Sequence, residues 1–420
     1  MRKISSKLTQ LFLFVFVFAQ LHSASTLQAA NSKPNVVPDL REWKGSNGSF
    51  KITASSRICV DPKSFSKLEG ISKEFSENLS EVTGLKLRVS KQAKAKPGDF
   101  FLTLDCSDSD IGDEGYILNV NRGTLIKANS EAGVAFATMS VLQILKQEKT
   151  KRTLPKGVAK DYPQYQIRGF LIDAGRYYYP PEYVKDFVKQ MSYFKLNELH
   201  FHATESAAYR FESKLYPTLT NSKNYSNEYL SDLISFANTY GVKVIPEIDT
   251  PGHSAPLVRL KPELSKGNHL DLNNPDLAPF VRTLYDEILP IFTDYAFHIG
   301  CDEFGGPGSL EDYINVQAKY IISKGKQVRI WTGFHDIKKI DKDIVIDVWD
   351  HSDQVNDYVS NGNKLINSEG FSLYTVPGCG WYPPLERIYN SWDPTTFIAR
   401  NSTTKVTRKG KVSCKKMLLL

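Results

Sequence analysis

From residue 166 onward, short apolar runs alternate with stretches whose apolar residues lie three or four positions apart. Seven of the runs predict strands: IRGFLIDAG, NELHFHAT, VKVIPEID, YAFHIG, QVRIWTG, DIVIDVWD and NKLINS. Adjacent apolar residues are typical of a strand buried on both faces, and the wider spacing is typical of one helix face. The alternation predicts an α/β domain at about residues 160–400, with a parallel sheet covered by helices.

The stretches between these strands have helix signals at their ends. PPEYVKDFVKQMSYF begins with proline, NEYLSDLISFANTY is followed by Gly241, and further helices are predicted at about 277–291 and 314–323. Proline favours the first helical turn and glycine the position past the last. The favoured architecture is a (β/α)8-type TIM barrel that could lack its eighth strand. An open doubly wound sheet is the alternative, although no glycine-rich nucleotide fingerprint follows the first strand.

Residues 36–155 have a different pattern of apolar and polar positions. SFKITASSRICV, DFFLTLDC and GYILNVNRGTLIKA predict strands, the last with a turn at NRG. SKLEGISKEFSENLSEVTG and EAGVAFATMSVLQILKQ predict helices, the second of them amphipathic. This part of the chain therefore predicts a smaller α+β domain, and it carries no obvious catalytic cluster.

The N-terminus has the composition of a secretory signal peptide. Basic residues precede an apolar run from Leu11 to Leu21, and small residues follow, with Ser25 and Ala30 as plausible cleavage points. The apolar run is about half the ~20 residues that a membrane span needs, so an uncleaved anchor is the less favoured alternative. We expect a signal peptide at 1–30 and a secreted or periplasmic protein, or a lysosome-like location in a eukaryote.

The formal charge of +7 comes from the two ends of the chain. Nine of the positive charges lie at Arg2, Lys3, Lys7, Lys405, Arg408, Lys409, Lys411, Lys415 and Lys416, and residues 401–420 form a basic tail of unclear structure. The remainder has a balance of about −2, so no nucleic-acid partner is expected. The five cysteines fit no zinc motif, although a Cys59–Cys106 bridge is allowed in an oxidising compartment.

Polar and aromatic side chains follow the predicted strands. In a barrel, such side chains meet at the C-terminal face, where the chemistry is done. In chain order they are Arg176, Thr204-Glu205, Asp249 with His253, Asp302-Glu303, Trp331, Trp349 and Tyr374. Aromatic walls combined with carboxylates suit a sugar ring, whose C–H faces stack on indole and whose hydroxyls need acceptors.

Asp302 and Glu303 are adjacent carboxylates at the end of the apolar run YAFHIG. Two carboxylates held close together cannot ionise equally, so one is pushed towards the protonated form. A protonated carboxylic acid is what a glycosidase needs to protonate a glycosidic oxygen. A solvated acidic loop is the alternative interpretation of this pair.

Three other interpretations involve the same strands. His200 and His202 share one strand face and could bind a metal, as in amidohydrolases, but hydrogen-bonded interior histidines are favoured. Trp331 and Trp349 could simply be core residues, although their matching places at strand ends favour a pocket wall. Cys301 could be a nucleophile, but no histidine motif pairs with it, and a small buried residue is the simpler interpretation.

Four motifs in order resemble those of glycoside hydrolase family 20, the β-N-acetylhexosaminidases. HIGCDEFGG is similar to the His-x-Gly-x-Asp-Glu signature, and RGFLIDAGRYYYP, YFKLNELHFHAT and VIPEIDTPGHSAP resemble three further motifs. GDEGYILNVNRGTLIKANSEAGVAFATMSVLQIL resembles the accessory α+β domain that precedes the catalytic barrel. The resemblance covers about residues 36–395.

The resemblance implies substrate-assisted hydrolysis with retention, in which the substrate's own 2-acetamido oxygen is the nucleophile. Glu303 would be the acid and then the base. Asp302 would orient the acetamido N–H and stabilise the oxazolinium cation. Tyr374 would hydrogen-bond the acetamido oxygen. The implied partners are glycans that contain amino sugars, and neither a cofactor nor a metal is implied.

The resemblance also implies supporting roles around these three residues. Arg176 would hold ring hydroxyls, and Trp331 and Trp349 would wall the acetamido group and the ring. His253, supported by Glu205 and Asp249, would lie behind Glu303.

The chain departs from the family pattern in three places. Cys301 stands where a glycine is common, and Glu205-Ser206 stands where two aspartates are common. The tail KVTRKGKVSCKKMLLL carries neither the tryptophan nor the acid of the family's eighth strand, and it looks truncated or frame-shifted. A catalytically impaired sugar-binding relative is therefore one alternative. A lacto-N-biosidase that releases a disaccharide is another, because the extended loop VPGCGWYPPLERIYNSWDP could serve either activity.

Overall fold

The computed structural model describes residues 29–376, 382–399 and 402–405. Its first part is a mixed sheet with the strand order β1-β7-β5-β6-β4-β2-β3. Its strands are β1 (Glu42–Lys51), β2 (Arg57–Val60), β3 (Arg88–Lys91), β4 (Phe100–Thr103), β5 (Tyr116–Val120), β6 (Thr124–Ala128) and β7 (Thr153–Asp161). The three strands β2, β3 and β4 run parallel at one side, and the antiparallel pairs lie at the other. The sheet thus continues past residue 155, where the sequence placed the end of the α+β domain.

Two helices pack on this sheet, α1 (Phe65–Thr83) and α2 (Glu131–Gln147). The sequence predicted both, and the left-handed Gly84 ends α1. The prediction that α2 is amphipathic was wrong, because every residue from Gly133 to Leu145 is buried. The helix contacts the first sheet on one side and the first two helices of the following domain on the other. Because the helix is covered on two sides, even its polar residues Thr138, Ser140 and Gln143 are buried.

The second part is a curled parallel sheet with the strand order β16-β15-β14-β13-β10-β9-β8. These are the seven predicted strands: β8 (Gly169–Asp173), β9 (Glu198–His202), β10 (Lys243–Glu247), β13 (Ala296–His298), β14 (Gln327–Trp331), β15 (Val345–Val348) and β16 (Lys364–Asn367). Consecutive strands are neighbours throughout, and the order never reverses as it would in an open doubly wound sheet. The barrel-type fold preceded by a smaller α+β domain is confirmed.

Helices connect most of the parallel strands and cover the outside of the sheet. They are α3 (Pro181–Tyr193), α4 (Asn227–Thr239), α5 (Ala255–Leu260), α6 (Leu277–Ile288), α7 (Leu310–Ser323) and α8 (Val355–Asn361). Between β10 and β13 the chain also forms a small hairpin, β11 (Ser265–Lys266) and β12 (His269–Leu270). The connection from β14 to β15 contains only a 3₁₀ turn, Ile337–Lys339.

A buried polar contact joins the two parts of the chain. Lys195, just past α3, donates from Nζ to Asp161 Oδ2 at 2.7 Å and to the Tyr116 hydroxyl at 3.1 Å. The same hydroxyl contacts Ser140 Oγ of α2 at 2.6 Å. Since a buried charge needs partners, this contact specifies how the barrel docks on the first sheet.

Arg329 forms a buried ion pair inside the barrel, at the end opposite to the strand C-termini. It is fully buried on β14, and its Nη1 donates to Glu198 Oε2 of β9 at 2.7 Å. Its Nη2 donates to the Tyr295 hydroxyl at 2.7 Å, and that hydroxyl in turn donates to Glu198. The pair therefore links three strands of the barrel across its interior.

The barrel is not closed by strand pairing within the described residues, since β8 and β16 each have a neighbour on one side only. A small apolar cluster of Ile167, Val345, Ile366 and Leu373 lies beside this seam, and Leu171 and Trp392 both pack against it. After β16 the chain forms two short helices, α9 (Gly370–Leu373) and α10 (Leu385–Asn390). A hairpin follows, made of β17 (Thr396–Ala399) and β18 (Ser402–Lys405). Asn367 anchors the returning chain by donating to the carbonyls of Pro394 and Thr396.

Several sequence predictions fall outside the described residues. The signal peptide lies almost wholly in residues 1–28, and most of the basic tail lies beyond residue 405. Across the part of the chain that the structure covers, we find no helix with the length and apolarity to cross a membrane. Cys59 and Cys106 are free thiols, so the bridge that the sequence allowed between them is not formed.

Candidate active site

The loops after the parallel strands converge at one end of the barrel, and all nine predicted site residues lie on these strand ends or loops. Six of them form one contact network: Arg176, Glu205, Asp249, His253, Asp302 and Glu303. Trp349 and Tyr374 form a second group with nearly parallel rings, 6.4 Å apart between centroids and 16° between planes. Trp331 lies deeper, inside the barrel.

Asp302 and Glu303 differ sharply in exposure although they are adjacent in the chain. The Glu303 side chain is 57% exposed, whereas that of Asp302 is only 12% exposed. Glu303 also adopts a left-handed backbone conformation, with φ +50°. The pair therefore offers one inner and one outer carboxylate.

Left-handed backbone at non-glycine residues is concentrated in this site. Cys301 (φ +84°) and His253 (φ +44°) adopt it as well as Glu303. Such conformations cost about 1–3 kcal/mol each and persist where the surrounding structure holds them. Here Cys301 is held by two hydrogen bonds, from its N–H to Asp249 Oδ1 at 3.1 Å and from its thiol to Thr250 O at 3.1 Å.

Close packing around the signature turn depends on glycine at Gly300. Its φ is +73°, and a Cβ there would lie 1.8 Å from Asp249 Oδ1. Only glycine therefore allows the Asp249 carboxylate to approach the turn that carries the adjacent acids.

His253 lies between the buried and the exposed acids. Its Nδ1 is 2.6 Å from Asp249 Oδ2 and 3.4 Å from Asp302 Oδ1, while its Nε2 is 3.0 Å from Glu303 Oε2. Burial would lower the pKa of His253, but the hydrogen bonds and charges of Asp249 and Asp302 raise it to about 12. The imidazole is therefore a cation at neutral pH, with carboxylates in contact with both of its ring nitrogens.

Asp249 is the innermost acid of the network. Burial and the nearby charge of Asp302 raise its pKa to about 7, against the opposing effect of His253. Asp249 and Asp302 thus compete for the charge of one imidazolium, and the network has more carboxylates than cations.

Arg176 closes the network on the first-strand side. Its Nη1 donates to Asp173 Oδ2 and its Nη2 to Glu205 Oε1, both at 2.8 Å. Its side chain is still half exposed, which leaves guanidinium N–H groups open to a ligand. Glu205 lies 3.6 Å from His253 Nε2, so its closer partner is Arg176 rather than the histidine.

A buried polar cluster lies beneath these residues. Glu247, fully buried on β10, accepts hydrogen bonds from Trp331 Nε1 and His202 Nδ1, both at 2.6 Å. His200 Nε2 is 2.8 Å from the same carboxylate. The paired histidines of β9 are thus interior residues, as the favoured interpretation expected, and Trp331 is a buried residue with a fixed polar partner.

Three compact sets of side chains in the described residues have the ligand types of a metal site. They are His200–Glu247–His298, His202–Glu247–Asp249 and Asp249–His253–Asp302, each with potential ligand atoms within 4.8 Å of one another. Each set contains Glu247 or Asp249, and both of these carboxylates already accept hydrogen bonds from a histidine or Trp331. A metal site on His200 and His202 would have needed further ligands from later strand ends, and the histidines there, His335 and His351, belong to none of the three sets.

Asp347 is a further buried acid near Trp331. It lies on β15, where its carboxylate accepts a hydrogen bond from Ser368. Burial raises its pKa to about 6, from an ordinary 3.8, and the positive charges of its neighbours only partly oppose this. The folded protein therefore holds a proton on Asp347 more tightly than the unfolded chain does.

Replacing Asp347 with Asn should flatten the pH dependence of stability between about pH 4 and 6. In this window the unfolded chain has lost the proton that the folded protein keeps, so rising pH lowers the free energy of unfolding of the wild type. The free energy of unfolding of the variant, relative to that of the wild type, should rise by roughly 2–3 kcal/mol between pH 4 and pH 7. Urea unfolding at several pH values would measure this, with the exposed Asp343→Asn as the control. Parallel stability curves for wild type and Asp347→Asn would contradict the prediction.

The sequence analysis missed Glu247, Asp347 and Asp173. Each lies on a strand that the analysis had identified, and Glu247 and Asp347 stand two positions before Asp249 and Trp349. Residues two apart on a strand share a face. That spacing was the signal that could have placed both acids inside the barrel.

Two family models match the chain over most of this region. The model described as the catalytic domain of glycosyl hydrolase family 20 matches residues 165–308, and the model for domain 2 of the same family matches residues 33–162. The acids and the histidine of the contact network fall within the first match. Trp331, Trp349 and Tyr374 lie beyond its end.

The similar curated proteins carry two kinds of name, lacto-N-biosidase and beta-hexosaminidase. A lacto-N-biosidase of Bifidobacterium bifidum is 27% identical over 87% of this chain and 35% of its own length. Beta-hexosaminidase subunit A2 of Dictyostelium discoideum is 27% identical over 93% of this chain and 81% of its own length. The chain therefore spans about a third of one relative and most of the other.

Solved structures share the fold. The family 20 β-N-acetylhexosaminidase of Streptomyces coelicolor A3(2) superposes with a TM-score of 0.77 at 20% identity, covering 93% of this chain and 87% of that one. A Flavobacterium johnsoniae chitobiase superposes with a TM-score of 0.75 at 23% identity, covering 92% of this chain and 65% of that one.

Proposed function

The chain belongs to glycosyl hydrolase family 20, and we propose that it is a retaining exo-β-N-acetylhexosaminidase. It removes terminal β-linked N-acetylglucosamine or N-acetylgalactosamine from glycans. The observation that carries the proposal is the inner–outer arrangement of Asp302 and Glu303 around His253.

The two acids act on adjacent parts of one sugar. The exposed Glu303 gives its proton to the glycosidic oxygen, and the bond from that oxygen to the anomeric carbon breaks. The carbonyl oxygen of the 2-acetamido group forms a bond to the same carbon, which gives a cyclic oxazolinium ion. Asp302, buried beneath, accepts the acetamido N–H and balances the positive charge of the ring.

The second half of the reaction returns the proton. Water attacks the anomeric carbon from the side that the leaving group vacated, and Glu303 takes one of its protons. The oxazolinium ring opens to the acetamido group, and the configuration is retained. The His253 cation, 3.0 Å from Glu303, stabilises the carboxylate that exists between these two steps.

The remaining predicted residues hold the sugar. Arg176 donates to ring hydroxyls with the N–H groups that its two carboxylate partners leave open. Trp331 and Trp349 wall the acetamido group and the ring. Tyr374 donates to the acetamido oxygen, and burial with the charges of Asp302 and Asp347 supports this by raising the pKa of its hydroxyl well above the ordinary value.

The acetamido requirement separates this mechanism from a two-carboxylate glycosidase. The mature chain should hydrolyse 4-nitrophenyl N-acetyl-β-D-glucosaminide and have no measurable activity on 4-nitrophenyl β-D-glucoside, which lacks the internal nucleophile. Proton NMR of the first product should show the β-anomer. Comparable rates on both substrates, or an α-anomer as first product, would contradict the proposal.

A second candidate function is that of a lacto-N-biosidase, favoured by the similarity to the enzyme of that name over 87% of this chain. The chemistry is the same, but the site must then accept a disaccharide. Incubation with lacto-N-tetraose separates the two functions, because one releases a galactose–N-acetylglucosamine disaccharide and the other needs the terminal galactose to be removed first.

Loss of catalysis with retained sugar binding is the third candidate. It is favoured by the seam between β8 and β16, which leaves one side of the barrel without strand pairing in the described residues. Binding of N-acetylglucosamine by calorimetry without turnover of the chromogenic substrate would identify it. In each case the composition of the N-terminus, with basic residues before an apolar run, supports a secreted or periplasmic protein.

A further inference from the structure

We propose that Glu247 is a positioning residue that holds the Trp331 indole and thereby determines which 2-acylamino groups the sugar site accepts. This inference rests on the proposed function, in which Trp331 is a wall of the acetamido pocket. Glu247 itself lies beneath the site and takes no part in the steps described above.

Both oxygens of Glu247 are held from different directions. Oε1 accepts the indole N–H of Trp331 at 2.6 Å. Oε2 accepts Nδ1–H of His202 at 2.6 Å and lies 2.8 Å from His200 Nε2. A carboxylate bound on both oxygens cannot turn without losing a buried hydrogen bond, so it is a fixed acceptor for the indole.

The face of the indole is held as well as its edge. Its ring stacks on His200 at 5.3 Å between centroids and 16° between planes, and it lies 4.6 Å from the ring of His298. His298 Nδ1 accepts the backbone N–H of Gly300, two residues before Asp302. The wall and the inner acid are therefore fixed to the same turn of the chain.

The charge of Glu247 strengthens this hold. Burial would raise its pKa, but the neighbouring charge of His202, whose own pKa is raised to about 10, keeps the pKa of Glu247 well below the ordinary value. The bond from the indole N–H is consequently made to an anion, and such bonds are about twice as strong as those between neutral groups.

A displaced indole would affect substrates according to their acyl group. In substrate-assisted hydrolysis the acyl oxygen must lie within bonding distance of the anomeric carbon, and a shift of about 1 Å is enough to lower the rate strongly. A wall that moves also makes room for a longer acyl chain. Loss of the Glu247 bond should therefore slow the N-acetyl substrate and reduce its advantage over an N-butanoyl substrate.

Glu247→Gln tests this with the 4-methylumbelliferyl β-glucosaminides that carry N-acetyl or N-butanoyl groups. The ratio of kcat/KM for acetyl over butanoyl should fall about tenfold or more in the variant, which is the effect expected from losing one charge-assisted hydrogen bond. Glu198→Gln is the matched control, because Glu198 is also a buried, doubly bonded carboxylate inside the barrel but lies at its opposite end. The control should change the ratio less than twofold.

Glu247→Asp covers the case in which the glutamine variant does not fold. It keeps the charge but retracts the carboxylate by one methylene, so it cannot reach both Trp331 and His202, and the same fall in ratio is expected. A wild-type ratio in a folded Glu247 variant, or an equal fall in Glu198→Gln, would overturn the inference.

A second measurement does not depend on turnover. The indole N–H resonance of Trp331, assigned by its loss in Trp331→Phe, should exchange slowly with solvent in the wild type. It should exchange at least tenfold faster in Glu247→Gln, and an unchanged exchange rate would overturn the positioning role. If the wild type is inactive but the exchange rate of the Trp331 indole N–H still depends on Glu247, the result contradicts the proposed function and supports the positioning role.

Discussion

Glu303→Gln should lower kcat for chitobiose by about two to four orders of magnitude, the usual contribution of a general acid–base residue. Glutamine keeps the size of the side chain and its contact with His253, but it has no proton to give to a sugar leaving group. Release of N-acetylglucosamine by the purified variant measures the loss. The loss in kcat should be smaller on a 2,4-dinitrophenyl N-acetyl-β-glucosaminide, because 2,4-dinitrophenolate leaves in the first step without being protonated.

Glu263→Gln is a suitable control for that experiment. Its side chain is 61% exposed, close to the 57% of Glu303, and its ion pair is with a surface lysine. It should retain wild-type kcat. A Glu303→Gln variant within tenfold of wild type on chitobiose would show that another group supplies the proton.

Arg329→Met should lower the free energy of unfolding by about 3–5 kcal/mol, the usual cost of leaving a buried charge without its partner. Arg329 is fully buried, and Glu198 loses its only oppositely charged partner among the described residues when the guanidinium is removed. Denaturant unfolding followed by fluorescence and by circular dichroism measures the change, with both probes needed to test for intermediates.

The double variant Arg329→Met/Glu198→Met separates charge burial from packing. Removal of both charges leaves no uncompensated group, so much of the stability lost in the single variant should return. If the double variant is less stable than Arg329→Met, the loss comes from packing and the explanation by an unpaired charge is wrong.

The barrel strands could be predicted because each carries its own local signal. A parallel strand buried on both faces is an apolar run whatever its neighbours are, and strand order then follows chain order in a barrel. The acids at the strand ends could be grouped for the same reason, since carboxyl ends of parallel strands share one edge. Asp302 and His253 were placed together in this way, and the structure puts them 3.4 Å apart.

Contacts that depend on a distant partner had no such signal. Nothing local indicates that Glu205 contacts Arg176 more closely than His253, or that Trp331 turns its N–H towards Glu247. The pattern of α2 was likewise misinterpreted, because its polar side chains are buried against distant parts of the chain, Ser140 at Tyr116 and Gln143 at Val37 and Tyr193. The difference in exposure between Asp302 and Glu303 is also not specified by the residue types, since both are acids.

The complete burial of α2 bears on how this chain can be divided. The helix fills the space between the first sheet and the barrel helices α3 and α4. Its buried residues therefore belong to the hydrophobic cores of both parts of the chain. A fragment that begins at residue 160 would present the bare faces of α3 and α4 to water, and a fragment that stops there would present α2. Either truncated protein would expose an apolar surface of the kind that makes proteins aggregate and form inclusion bodies.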